Sequence, residues 1–221
     1  MGTVAEQKSS VQKRRITQTV VYLLLLMALM VLGVFYRITQ PRILSTHELR
    51  ANGAILFDKP RIIEDFRLQD EKGQAFTQAE LTGHWTLLFL GFTHCPDICP
   101  TTLAKLAEVH KNLQPDIATQ TRVILLSVDP ARDTPEKLAE YVHYFNPEFI
   151  GLTGDFRQIM ALTQNLNGVF QKVVQGDDYT VDHTANLILI NPEGHYQGFI
   201  QPPFELARLT TVLESIVSTY Y

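Results

Sequence analysis

Cysteine is scarce in this chain: of 221 residues only two are cysteines, at positions 95 and 99. A disulfide-rich secreted scaffold is therefore excluded. Positive charge is also thin, with 19 Lys and Arg against 23 Asp and Glu and a formal net charge of −4. No basic stripe occurs outside the N-terminus, so the electrostatic footprint of a nucleic-acid binder is missing. No internal repeat and no low-complexity tract interrupts the sequence. Apolar residues make up 45% of it. That suits one domain of ordinary size plus an appendage, with a core that needs no staples.

Charge is absent altogether from one stretch. Val20 to Tyr36 reads VVYLLLLMALMVLGVFY, and Ile16 to Thr19 extend it. At 1.5 Å per residue, a helix over 16–36 can cross a hydrocarbon core of about 30 Å. Tyr22 and Tyr36 fall near its ends, where amphipathic rings prefer the interface. Lys8, Lys13, Arg14 and Arg15 precede the run and Arg37 and Arg42 follow it, a bias that puts the N-terminus in the cytoplasm and residues 37–221 outside. A cleaved signal peptide is the competing reading. Against it, the run exceeds the usual apolar length of about 7–15 residues, and no small-x-small site follows in VFYRITQPR. A mitochondrial presequence fits poorly, since Met1 to Thr19 is short and contains Glu6. The expected organisation is a basic N-terminus over 1–15, a single transmembrane anchor over 16–36, a tether over 37–60 punctuated by Pro41 and Pro60, and one soluble domain over 61–221. The simplest setting is a bacterial inner membrane with that domain in the periplasm.

The soluble part alternates strand and helix signals. TLLFLGF from Thr86 has the length of a buried strand, and a helical spacing of apolar residues follows over Thr101–Leu113. VILLSV (123–128) reads as a strand buried on both faces. DTPEKLAEYVHYF (133–145) opens with Asp133 or Thr134 as N-cap and Pro135 in the first turn. A short strand near Phe149–Leu152 leads to a helix from about Asp155. Two apolar runs in NLILINPEGHYQGFI (186–200) flank a hairpin signal at Pro192-Glu193-Gly194, and a last helix runs from about Pro203 to Ser218. This order predicts an α/β fold, a mixed sheet flanked by helices in the thioredoxin-like layout, with one N-terminal transmembrane helix.

The chemistry begins directly after the first buried strand, at GFTHCPDICPTTL (91–103). Cys95 and Cys99 each precede a proline, which disfavours the α region for both, and Pro100 suits the first position of a helix. The loop thus brings both sulfurs to a helix N-terminus, where the dipole favours thiolate over thiol. Thiolate is the form that binds soft metals and attacks disulfides. A purely structural disulfide would close too small a loop to contribute more than about 2 kcal/mol.

Two sulfurs alone leave redox and metal chemistry open. A third donor is offered by DYTVDHTANLILI (178–190), where His183 stands just before the strand 186–190, in a loop expected to pack against the cysteines. Thioredoxins usually place a cis-proline there, yet no proline occurs between Glu148 and Pro192. Two soft thiolates and one neutral imidazole suit Cu(I) and tolerate Cu(II). A thiol–disulfide oxidoreductase, with His183 modulating the pair, remains the other reading. Asp182 is placed to hold the imidazole in one tautomer. Asp97 reads as a solvated turn carboxylate and His94 as a surface or supporting residue. Asp129 and Asp133 with Arg132 read as caps and an ion pair, while Trp85 and Phe92 read as core. His47, His84, His110, His143 and His195 show no clustering.

Four strings in order resemble the SCO/SenC family of copper chaperones for cytochrome c oxidase: LGFTHCPDICPTTL (90–103), VDPARDTPEKLAEY (128–141), GLTGDFRQI (151–159) and YTVDHTANLILINPEG (179–194). The resemblance covers roughly Asp65 to Ile200. It implies a thioredoxin fold, one N-terminal membrane helix, and one copper ion per chain held by Cys95, Cys99 and His183. It further implies delivery of copper to the dinuclear site of oxidase subunit II or a related copper protein, loading by a copper donor protein, and possible thiol–disulfide chemistry on that subunit's cysteines. The stretch QKVVQGDDYT (171–180) departs from the family pattern and bears on partner identity. Peroxiredoxins share the fold but need a threonine three residues before the reactive cysteine, where this chain has Phe92.

Overall fold

The computed structural model describes residues 3–39, 42–176 and 178–220. Pro41, in the expected tether, and Asp177, ahead of His183, lie outside the described residues, as do the side chains of Lys8 and Lys13. The chain forms two compact units, residues 1–41 and 42–221. Over its described residues the first forms helix α1 (Thr3–Thr39), whose Arg14–Ile38 stretch contains an 18-residue window of mean hydropathy 2.5, none of it buried. By length and composition it can cross a membrane.

The second unit begins earlier than the sequence pattern suggests. Within residues 37–60, read above as a tether, lie α2 (Thr46–Ala51) and the start of β1 (Ala54–Ile62). α2 is held by a capping box, in which Ser45 and Glu48 satisfy each other's backbone amides. Its Leu49 is buried, and the Leu44 amide donates to Ser215 Oγ at 2.7 Å. β1 pairs antiparallel with a strand near the C-terminus, so this segment is part of the sheet. A nine-residue strand containing Pro60 offers no clean alternation, which is why it does not read as a strand.

There follow β2 (Arg67–Asp70), β3 (Ala75–Thr77), β4 (Trp85–Gly91), α3 (Ile98–Asn112), α4 (Pro115–Gln120), β5 (Thr121–Ser127), α5 (Pro135–Phe145), β6 (Ile150–Thr153) and α6 (Phe156–Asn165). The chain closes with β7 (Phe170–Gln175), β8 (Asp178–His183), β9 (Leu187–Ile190), β10 (His195–Ile200) and α7 (Leu206–Tyr220). The main sheet has the order β1-β10-β9-β4-β5-β6-β2-β3, with β4, β5 and β6 parallel and the flanking pairs antiparallel. All seven residues of β4 are buried, as a central strand covered on both faces by helices must be. This is a mixed, helix-flanked sheet of the thioredoxin-like kind.

Two features position the site. The parallel strands β4 and β5 end side by side, tied by the Val128 amide donating to the Gly91 carbonyl at 2.9 Å, so the loops 92–97 and 128–134 share the carboxyl edge where open α/β sheets gather functional groups. Outside the main sheet, β7 and β8 form a two-stranded ribbon of six registered pairs, Phe170 opposite His183 at one end and Gln175 opposite Asp178 at the other. His183 thus ends a strand, where the sequence reading placed it in a loop.

Candidate metal centre

Both sulfurs are delivered by the turn from β4 into α3. The helix starts at Ile98 with Asp97 at the cap position, so Cys99 lies in its first turn and Pro100 is its third residue. The sequence reading had Cys99 outside the helix. Proline is tolerated here because first-turn amides have no intrahelical partner to lose. The orphan amide of Cys99 donates instead to Cys95 Sγ at 3.5 Å. Neither cysteine is in a disulfide: Cys99 is fully buried, and Cys95 is partly exposed at the rim.

Burial reverses one expectation. The Cys99 thiol is pushed well above the ordinary thiol range, chiefly by desolvation, with the Phe92 backbone hydrogen bond acting in the opposite sense. A helix N-terminus contributes at most about 2 kcal/mol toward an anion. Enclosure at 0% exposure outweighs that. Without an ion, Cys99 is therefore a neutral thiol rather than the thiolate the dipole argument predicts.

The imidazole arrives from β8. Its Nε2 lies 3.6 Å from Cys99 Sγ, and its Nδ1 lies 3.2 Å from the Thr184 carbonyl. A carbonyl only accepts, so Nδ1 carries the ring proton and Nε2 presents a bare lone pair toward the sulfur. That carbonyl, not the exposed Asp182 carboxylate, is what the ring proton meets. Burial holds the His183 ring below its usual pKa, opposed by the Thr184 hydrogen bond and by Asp182. A neutral, bare-nitrogen ring is the ligating form. Phe89 and Phe92 meet it edge to face at centroid distances of 5.7 and 6.1 Å, fixing its plane.

Cys95 Sγ, Cys99 Sγ and a His183 ring nitrogen all lie within 4.8 Å of one another, the sole such grouping of three candidate ligands among the described residues. Bonds of about 2.0–2.3 Å, as nitrogen and sulfur make to zinc, set three donors around one ion about 3.5–4 Å apart. Closing the triangle therefore needs a shift of no more than about 1 Å. A cavity of about 320 Å³ opens beside it, between Cys95–Ile98 and Thr180–His183.

Residues that sequence reasoning did not assign to the site hold it in place. Gly91 is one: a Cβ there would sit 3.0 Å from Cys99 Sγ and 2.8 Å from Leu125 Cδ1, so only glycine leaves room for the buried sulfur. Asp133, fully buried, is another. Its carboxylate accepts from Thr93 Oγ1 at 2.6 Å, the Thr93 amide at 3.1 Å and Ser127 Oγ at 2.6 Å. It therefore ties the cysteine loop to β5, and Thr134 caps α5. The Arg132–Asp129 ion pair is present as expected. His94 turns aside, with Nδ1 3.0 Å from Thr93 Oγ1, and Asp97 is exposed, 3.5 Å from Thr101 Oγ1. Trp85 and Phe92 are core.

A family model described as SCO1/SenC matches residues 57–218. A Stutzerimonas stutzeri protein provisionally named for copper binding is 39% identical over 164 residues, which cover 74% of this chain and 80% of the relative. Two solved structures superpose on it. Arabidopsis thaliana ScoI with copper bound is 36% identical, with a TM-score of 0.66, covering 71% of this chain and 99% of its own. Bradyrhizobium japonicum ScoI with copper bound is 38% identical, with a TM-score of 0.61, covering 72% and 99%.

Proposed function

This chain belongs to the SCO1/SenC family, and on that premise we propose that it carries one copper ion on Cys95, Cys99 and His183 and passes it to the dinuclear copper site of cytochrome c oxidase subunit II or a related copper protein. The single observation that carries this reading is the meeting of two sulfurs with an imidazole nitrogen, which lies 3.6 Å from Cys99 Sγ. The donor set supports copper over harder ions, since thiolates are soft and the imidazole is neutral. Copper is cargo here. Partly exposed Cys95 is the natural point for an incoming ligand from an acceptor, while fully buried Cys99 would release last. A copper donor protein would load the site by the same exchange in reverse. The N-terminal helix fits a single-pass anchor in a bacterial inner membrane, with the N-terminus cytoplasmic and the domain periplasmic.

A second reading is favoured by a partly exposed cysteine lying beside a buried one: a thiol–disulfide oxidoreductase that reduces the acceptor's cysteines. The test is copper stoichiometry of the reduced full-length chain in detergent, parent beside His183→Ala. The chaperone reading expects about one copper per parent chain, with a thiolate-to-Cu(II) charge-transfer band that the substitution weakens strongly. A parent that holds no copper tightly, with disulfide turnover equal in the two proteins, would favour the oxidoreductase.

A further inference from the structure

We infer that the loop joining β5 to α5, residues 128–134, sets the separation between the two halves of the site, with Arg132 and Tyr179 acting through Asp129 as positioning residues for His183. The inference rests on the copper reading above and deepens it. The sulfur half of the loop's grip is the Asp133–Thr93 pair already described, two residues from Cys95. The other half reaches the ribbon. Asp129, only 5% exposed, accepts from the Tyr179 hydroxyl at 2.8 Å and from Arg132 Nε. The Arg132 guanidinium lies 3.7 Å from the centroid of the Tyr179 ring and 5.8 Å from that of Phe92, and donates to Asp178 Oδ1 at 3.2 Å.

Strand alternation puts Tyr179, Val181 and His183 on one face of β8, and their burial agrees, with Val181 6% exposed and flanking Asp178 and Asp182 exposed. Fixing Tyr179 therefore fixes the strand that presents His183, about 13 Å further along. Phe92 closes the circuit, touching Arg132 on one side and the His183 ring on the other. An exposed ion pair would hold such a ribbon weakly. This pair sits under the ribbon, its side chains 17% and 5% exposed, so removing one member leaves the other largely shielded from water.

The test uses the reduced full-length chain in detergent, loaded with copper and then oxidised to Cu(II). Tyr179→Phe and Arg132→Lys should keep the parent's circular dichroism and about one copper per chain, yet bind it about 10–100-fold more weakly, as outer-shell substitutions do. The nitrogen hyperfine splitting in their Cu(II) electron paramagnetic resonance spectra should shift toward that of His183→Ala. Tyr179→Phe combined with His183→Ala should match His183→Ala alone, because a residue that only places the ring has nothing left to place. Either single variant indistinguishable from the parent, or a double variant weaker than His183→Ala, would overturn the inference. A parent chain that holds no copper would defeat the copper reading separately. Amide exchange over 179–183 in the copper-free chain then decides the positioning claim: faster in Tyr179→Phe upholds it, and unchanged overturns it.

Discussion

The two sulfurs and the imidazole reach the same point by opposite routes. Cys95 and Cys99 lie where a strand buried on both faces turns into a fifteen-residue helix, Cys99 in its first turn, so the sulfur side is anchored to the central sheet. His183 ends a two-stranded ribbon that is not part of the main sheet and meets the domain through Tyr179, Val181 and its own ring. An isolated two-stranded ribbon is marginally stable in water. The sulfur side is thus built as a fixed platform and the imidazole side as a docked arm. A site divided this way can hold an ion with three donors and still lose one of them without unfolding the core.

Substitutions on the two sides should differ accordingly. The largest effect belongs to Cys99→Ser, which removes the sulfur shared by both other donors. Copper retained after desalting should fall from about one per chain to none. Equal retention would break the idea of a fixed platform. Next comes His183→Ala, which removes only the arm's donor. Competition with a chromogenic Cu(I) chelator should give a loss beyond the 10–100-fold typical of a supporting residue, with melting of the copper-free domain nearly unchanged. Gly91→Ala works through the platform itself. Its Cβ would meet Cys99 Sγ at 3.0 Å and Leu125 at 2.8 Å, and thermal or denaturant melts should show about 1–3 kcal/mol of overpacking cost.

The smallest expected signal is a slope. Because burial raises the Cys99 pKa, that thiol keeps its proton at neutral pH and copper must displace it. Affinity should therefore fall with acid, about tenfold per pH unit for each proton displaced. His183 is shifted the other way by its burial. It stays neutral below the ordinary histidine range, so no further steepening should appear near pH 6.5. A break in the affinity profile there would show the arm more open to water than its packing against Phe89 and Phe92 implies.

The platform was more legible in the sequence than the arm. β4, α3, β5, α5 and β9 each carry an unbroken apolar run or a helical period, and the cysteines stand between two such runs. The start of the domain was not legible, because α2 is six residues long and β1 contains Pro60. Nor was the β7–β8 ribbon. Six of its twelve residues are exposed and only Val181 is fully buried, so FQKVVQ and DYTVDH carry too short an apolar pattern to read as strands from sequence. The thiol of Cys99 was misjudged because the helix dipole can be inferred from a sequence and the depth of a side chain cannot. The Asp129–Tyr179 and Asp133–Thr93 bonds join residues 50 and 40 positions apart, a separation that no local pattern encodes.

Copper carriage by this domain requires three donors to meet one ion. X-ray absorption at the copper edge of the Cu(I)-loaded full-length chain tests that directly, beside His183→Ala. The predicted parent spectrum needs two sulfur scatterers and one imidazole nitrogen, and the variant should lose the imidazole contribution alone. A parent spectrum fitted by sulfur only, and unchanged by the substitution, would contradict it.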